Sequence, residues 1–265
     1  MPLINTSIRP HSPLLIPEIS HANYKFLSKT ILSYERLEAE LESKHLDTLI
    51  IISPHGPLQD KSFTLNISPE LEINFKDFGF IPPRTIFKGD TLLADSFKNQ
   101  LRPDFPIQLA SEKQLDYGSA IPAYLLKNLL KSKKIIIISP ASALNLEEHL
   151  RFGQKLQTII AASPKQIAVL SSSDLSHRLK RKSPGGYSPK GAKFDNKLIE
   201  YLNEPKSAAE NILKIDEHLQ RASGECGLKP IVILLGILAA QVWEPENLVY
   251  QTDFGVGYLS LDCKI

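Results

Sequence analysis

Short apolar runs rich in Ile and Val, each broken off by a small, polar or proline-containing turn, recur along the chain. Residues 49–53, 135–139 and 167–172 are the clearest. Runs of this kind read as strands buried on both faces, the form taken in a largely parallel sheet. Between them the spacing of apolar positions predicts helices over 23–41, 120–130, 146–162, 194–202 and 231–242. Strands alternating with helices imply an α/β fold. Residues 63–75 alternate apolar and polar positions ahead of the turn at Pro82-Pro83, which predicts an edge strand or an antiparallel excursion and makes the sheet mixed. The expected architecture is a three-layer α/β domain over 1–265, with a central, mostly parallel sheet flanked by helices. Residues 180–191 carry four basic residues, two Pro and three Gly without periodicity, so a loop is expected there, placed to form a rim over a site. No internal repeat or low-complexity linker divides the chain.

Composition narrows the function classes. The chain has 265 residues and is 42% hydrophobic, enough for a sizeable core in one domain. Lys+Arg 31 against Asp+Glu 29 leaves a net charge of +2, so no overall field draws it to nucleic acid or an anionic membrane, and a small ligand is expected. Two cysteines, Cys226 and Cys263, make neither a disulfide framework nor a zinc-finger pattern, which fits a reducing cytoplasm. The N-terminal residues lack the basic start and apolar stretch of a secretory signal. The longest apolar runs fall well short of the roughly 20 residues that cross a bilayer, so no membrane span is expected.

Functional residues of open α/β sheets gather beyond the carboxyl ends of strands. Three histidines stand at such places: His11 after the apolar stretch 3–8, His55 after 49–53, and His177 after 167–172 through Ser173-Asp174-Leu175-Ser176. Glu225, in Ser223-Gly224-Glu225-Cys226-Gly227, opens a helical run. Two neutral imidazoles and a carboxylate on one face of an ion leave positions open for substrate and oxygen, an arrangement associated with non-haem Fe(II). A lone histidine after a strand is more often a hydrogen-bonded polar group or a cap than a ligand, so placement alone makes only a weak case. His21, His45, His149 and His218 lie in or beside amphipathic stretches and are expected at the surface.

The words around these residues carry more information. Pro10-His11-Ser12-Pro13-Leu14-Leu15-Ile16-Pro17-Glu18, Ser53-Pro54-His55-Gly56-Pro57 and Ser172-Ser173-Asp174-Leu175-Ser176-His177-Arg178-Leu179 resemble three motifs of the class III extradiol ring-cleavage dioxygenases, of the protocatechuate 4,5-dioxygenase catalytic-subunit type. Leu115-Asp116-Tyr117-Gly118, Gly224-Glu225-Cys226-Gly227-Leu228 and Phe254-Gly255-Val256-Gly257-Tyr258 resemble three more, in the family's order and across almost the whole chain. The wording is most similar to the branch that includes the Memo proteins and a domain of the AmmeMemoRadiSam system. The resemblance implies that His11, His55 and Glu225 hold Fe(2+), with Zn(2+) as the alternative ion, while His177 serves as acid and base beside a small aromatic substrate of catechol type and dioxygen. It also implies a homodimer. Asp174 is placed to orient the His177 ring, or equally to serve as a turn or N-cap residue.

One departure stands out. The resemblance to the dioxygenase members implies a second histidine where this chain has Tyr117, and a phenol that ionises near pH 10 donates a hydrogen bond but shuttles protons poorly. Two functions therefore stay open: an Fe(II)-dependent extradiol dioxygenase, and a Memo-like metal- or ligand-binding protein that depends on a partner and does not cleave rings. A hydrolase using zinc-bound water is allowed by the ligand set but has no support from the resemblance. Cys226 reads as a soft ligand or a packed small residue, and packing is the expectation. Arg178 with Lys180-Arg181-Lys182 reads equally as a solvated loop or as an attractor for an acidic substrate. Gly255 and Gly257 suit close backbone approach in a C-terminal strand rather than phosphate binding.

Overall fold

A computed structural model describes residues 2–265. Ten strands form one sheet: β1 Leu3–Arg9, β2 Thr48–Ile52, β3 Phe63–Asn66, β4 Glu70–Glu72, β5 Ile86–Gly89, β6 Ile107–Ala110, β7 Lys134–Ser139, β8 Ile167–Ser172, β9 Glu244–Gln251 and β10 Tyr258–Lys264. Ten α-helices accompany them: α1 Pro17–Ser20, α2 Ser28–Ser43, α3 Thr91–Leu101, α4 Tyr117–Leu125, α5 Lys127–Leu130, α6 Leu146–Ala161, α7 Pro189–Leu202, α8 Pro205–Leu213, α9 Glu217–Ser223 and α10 Leu228–Leu238. The protein is α/β, with a mixed, mostly parallel sheet flanked by helices on both faces.

The sheet runs β4-β5-β7-β2-β8-β1-β10-β9, with β3 paired to β7 and β6. Its centre, β7-β2-β8-β1, is parallel throughout. These strands are the apolar runs of the sequence, and every residue of β2 and β8 is buried. Alternate side chains divide between two cores: Ile50, Ile52, Ile136, Ile138 and Val169 pack with α6 and α10 on one face, and Leu49, Ile51, Ile135, Ile137 and Leu170 pack with α2 and α4 on the other. That two-sided burial explains why the sequence shows continuous apolar runs here instead of alternation.

On the first face, α6 and α10 approach at two glycines. A Cβ on Gly236 would stand 2.3 Å from the Leu150 carbonyl oxygen, and one on Gly153 would stand 2.1 Å from that of Ile233. Only bare backbone fits at this crossing.

Antiparallel structure is confined to the flanks. The alternating stretch 63–75 divides into β3, antiparallel to β7 and parallel to β6, and β4, antiparallel to β5. The C-terminal hairpin β9-β10 closes the other side, its turn passing through Gly255 at φ +75°. No helix is long and apolar enough to cross a membrane.

The register positions the chemistry. Ile52 lies opposite both Ile138 and Ser171, Ile8 opposite Ser171, and Arg9 opposite Ser172. The carboxyl ends of β1, β2, β7 and β8 therefore form one row, and the segments leaving β1, β2 and β8 carry His11, His55, and Asp174 with His177.

Candidate metal centre

The segments leaving the strand row are tied to one another by short polar contacts. Leaving β1, the His11 amide donates to Asp174 Oδ1 at 2.9 Å, and the Pro10 carbonyl accepts the Tyr34 hydroxyl at 2.8 Å. Leaving β2, Ser53 Oγ donates to Asp116 Oδ1 at 2.6 Å, and Asp116 caps α4 through the Ser119 amide. That cap fixes the first residue of α4, Tyr117, against His55, with ring centroids 4.2 Å apart and planes 23° from parallel. Gly118 has to be glycine, since a Cβ there would stand 2.5 Å from Ser53 Oγ and 3.1 Å from the His55 ring.

Three donor atoms converge where these segments meet. His11 Nε2 lies 3.1 Å from His55 Nε2 and 3.4 Å from Cys226 Sγ. His11, His55 and Cys226 each offer an atom within 4.8 Å of the others, and they form the metal-competent cluster found among the described residues. Two nitrogens bound tetrahedrally at 2.0–2.1 Å stand about 3.3 Å apart, so an ion fits with shifts of a few tenths of an ångström.

The tautomer of His11 follows from its neighbour. Ser172 Oγ donates its single proton to the Gly118 carbonyl at 2.5 Å, so it accepts from His11 Nδ1–H at 2.9 Å. His11 Nε2 is left with a free lone pair aimed at the cluster, the state a ligand requires. Burial, and then the neighbouring His177, lower the His11 pKa to about 3. Burial followed by His11 lowers His55 to about 3. Both rings are therefore neutral at neutral pH, the state in which an imidazole nitrogen can ligate a cation. The Cys226 thiol is pushed well up by burial and by the Asp174 and Glu225 carboxyls, so a cation at the cluster is what would favour its ionisation.

Glu225 differs from expectation. Its Oε2 accepts the Leu228 amide at 2.7 Å, and the carboxyl is pushed up to about 7 by burial, opposed by hydrogen bonding to that amide. The side chain serves the first turn of α10, and the thiol of the next residue faces the histidines. Cys226, expected to be packing, instead has its sulfur grouped with the two histidine nitrogens. Its amide reaches the Asp174 carbonyl at 3.4 Å, and this part of the chain presses close to β8, where a Cβ on Gly227 would stand 2.6 Å from Ser173 Cβ. Two histidines and a carboxylate are the arrangement expected for Fe(II); the group within 4.8 Å joins the histidines to the Cys226 sulfur. Two imidazoles and a thiol suit a softer or borderline ion.

Around the donors stand three groups able to handle protons. Tyr117 Oη is 2.7 Å from His55 Nε2, and burial raises its pKa, so it stays a neutral phenol. His177 Nδ1 donates to the Gly224 carbonyl at 2.9 Å, leaving Nε2 free, 3.9 Å from Asp174 Oδ2. Asp174 Oδ2 is also 3.8 Å from His11 Nε2. Burial pushes Asp174 up to about 6, against the pull of His177 and of the His11 amide. Behind this group, Asp195 accepts the Ser176 amide at 2.9 Å and the Tyr250 hydroxyl at 2.6 Å, holding the segment before His177. Sequence patterning gave no sign of this role, because Asp195 sits on a helix whose spacing suggests only packing.

His149 corrects a second expectation. Rather than lying at the surface it is fully buried, with Nδ1 2.6 Å from the Asn145 carbonyl oxygen and Nε2 3.1 Å from that of Ala141, and the edge of Phe63 against its ring. It stitches the β7–α6 connection to α6. His21, His45 and His218 are exposed as expected.

A cleft of about 450 Å³ adjoins the cluster on the His55 side, lined by His55, Asn66, Gln114 and Asp116 among others. A larger surface groove of about 630 Å³ beside Pro205 and Trp243 contains none of the site residues.

Comparison with known proteins bears on the family and the fold. The chain is 29% identical over 259 residues, 94% of its length, to Protein CA_C1420 of Clostridium acetobutylicum, and spans 55% of that relative's length. Its fold matches the crystal structure of the uncharacterized protein JW3007 from Escherichia coli K12 with a TM-score of 0.68, covering 98% of this chain and 99% of that one at 15% identity. Residues 5–259 match the family described as the catalytic LigB subunit of aromatic ring-opening dioxygenase, and the chain belongs to that family.

Proposed function

We propose that this protein is a metal-dependent member of the ring-opening dioxygenase family whose ion is held by His11, His55 and Cys226 and which binds a small phenolic ligand beside it. The convergence of those three donor atoms carries the reading. The donor set favours copper(I) or zinc over the Fe(II) that two histidines and Glu225 would hold. Zinc held there would supply Lewis acidity toward a ligand oxygen.

The chain's own residues supply the rest. His177, with its Nδ1 proton committed to Gly224, presents Nε2 as the acceptor for a phenolic proton. Asp174, at 3.9 Å, stabilises the imidazolium that results. Tyr117, its hydroxyl 2.7 Å from His55 Nε2, stands beside the cluster in the place of a second proton-transferring histidine. This reading follows the Memo-like alternative, a metal- or ligand-binding protein without ring cleavage.

Fe(II)-dependent extradiol cleavage of a catechol by dioxygen is the second reading, and the free Nε2 of His177 beside Asp174 favours it. Protein purified anaerobically and reconstituted separately with iron, zinc and copper(I) distinguishes the two. The first reading expects tight zinc or copper(I) binding that depends on Cys226, and no coloured ring-opened product from catechols with iron. Iron bound tightly with Glu225 required, together with rapid product formation, would overturn it.

A further inference from the structure

Helix α7 sorts its side chains by face. Phe194, Leu198 and Leu202 are fully buried, whereas Lys190, Lys193 and Lys197 stand at i, i+3 and i+7, a spacing that puts them in one row along the outer side. Tyr201 continues the row, with the Lys197 ammonium 5.7 Å from its ring centroid. Tyr187 precedes the helix with 60% of its surface exposed. The order is therefore an aromatic ring, three lysines and a second ring, about 16 Å long from Lys190 to Tyr201 at 1.5 Å per residue.

Other helices of the protein pair their surface charges: Lys44 with Glu40, Lys98 with Asp95, Arg151 with Glu148, Lys214 with Glu210 and Arg221 with Glu217. Among the described residues the lysines of α7 meet no carboxylate. Asp195 turns inward onto the Ser176 amide and the Tyr250 hydroxyl, Glu200 makes no ion pair, and Lys190 reaches a His218 ring nitrogen at 2.9 Å. The loop before the helix carries the charge further. Lys180, Arg181 and Lys182 are exposed and also form no ion pair. The loop is fixed beside the helix, since Ser183 Oγ donates to the Gly255 carbonyl at 2.8 Å and the Ser188 amide to the Arg178 carbonyl at 2.9 Å. Residues 180–197 hold six cations against Asp195, a net +5, while the other 247 residues sum to −3. A basic stripe on a chain whose remainder is acidic is the electrostatic footprint of a polyanion.

We propose that this surface binds single-stranded nucleic acid, the phosphates following Lys190, Lys193 and Lys197 and the 180–182 loop while a base stacks on Tyr187. A line of cations with a ring at each end matches a linear polymer whose units carry both a charge and a flat ring. A bilayer presents its charge as a plane and takes up aliphatic side chains, which the row lacks. A duplex keeps its base faces stacked inside and closed to Tyr187. The proposal goes beyond the metal reading and uses none of its ligands.

Fluorescence anisotropy with a labelled oligo(U) of roughly 12 nucleotides tests this. With about four phosphates engaged, at roughly 0.7 per phosphate, the log–log salt slope should be about −3, a loss of about sixtyfold in affinity between roughly 50 and 200 mM salt. Lys190→Gln, Lys193→Gln and Lys197→Gln together should reduce that slope by about 2. Tyr187→Ala should weaken binding at least about fivefold and leave the slope as it is. Lys98→Gln, Lys155→Gln and Lys214→Gln together remove the same charge from ion-paired positions and should not change the slope. Circular dichroism checks that each variant is folded, and the single lysine variants, each lowering the slope by about 0.7, carry the test if the triple variant is not. No binding at the lower salt, an equal loss in the control triple, or an indifferent Tyr187→Ala would overturn the proposal. So would a duplex of the same length bound as tightly, or binding to phosphatidylglycerol vesicles without binding to the oligonucleotide.

Discussion

Exchanging the adjacent residues Glu225 and Cys226 separates the two descriptions of the metal centre. Cys226 Sγ stands 3.4 Å from His11 Nε2 and belongs to the cluster within 4.8 Å, whereas Glu225 Oε2 is engaged by the Leu228 amide at 2.7 Å. Structural zinc sites with four protein ligands bind with about 10–16 kcal/mol, so one ligand is worth roughly 3 kcal/mol, or on the order of a hundredfold in affinity. Cys226→Ala should therefore weaken zinc or copper(I) binding by about two orders of magnitude. Glu225→Gln, whose amide oxygen can still accept from Leu228, should weaken it by less than about tenfold, the lower end of what neighbouring residues contribute to metal affinity. Competition against a chelator of known affinity measures both, with circular dichroism showing that each variant is folded. Cobalt(II) substitution adds an independent readout, a thiolate charge-transfer absorption present in the wild type and in Glu225→Gln and lost in Cys226→Ala. Comparable losses in both variants, or the larger loss in Glu225→Gln, would refute the assignment and restore the carboxylate as ligand.

Further outcomes follow from the same structure. Ser172→Ala removes the acceptor that fixes the His11 Nδ1 proton and should cost 10- to 100-fold in metal affinity by the same chelator competition, together with a lowered melting temperature because the buried Gly118 carbonyl loses its donor. Burial raises Asp195 from 3.8 to about 6, so the folded state binds its proton more tightly than the unfolded state does, and stability falls as pH rises from about 4 to about 6. Asp195→Asn should flatten that limb by on the order of 3 kcal/mol in urea melts, at 1.36 kcal/mol per pK unit. An unchanged pH profile would show that Asp195 is not held protonated. Gly236→Ala forces a Cβ toward the Leu150 carbonyl at 2.3 Å and should destabilise the fold by about 1–3 kcal/mol, read as a lowered urea midpoint at unchanged m-value.

Much of this molecule can be read from its chain. The runs at 49–53, 135–139 and 167–172 identify β2, β7 and β8 because strands buried on both faces leave no polar position to interrupt them. His11, His55 and His177 belong to one edge because parallel strands end on the same side, a property that follows from strand type alone. The helix expected over 146–162 appears as α6 over Leu146–Ala161, since its amphipathic period is long and unbroken. Short flanking strands such as β5 and β6 escape notice because four residues carry too little period to distinguish strand from loop.

Only the tertiary structure decided which neighbouring side chain meets the histidines. Glu225 and Cys226 are consecutive, and consecutive side chains at the entry to a helix point in different directions. Which one faces His11 depends on how α10 docks, and close backbone contact at Gly227 against Ser173 fixes that docking. The fate of His149 is settled in the same way: helical periodicity gives it a face of α6, but Phe63 and the carbonyls of Ala141 and Asn145 are what bury it. Periodicity within a segment is local information carried by the sequence, whereas the identity of the surface that covers a face is a long-range property that exists only once the chain has packed.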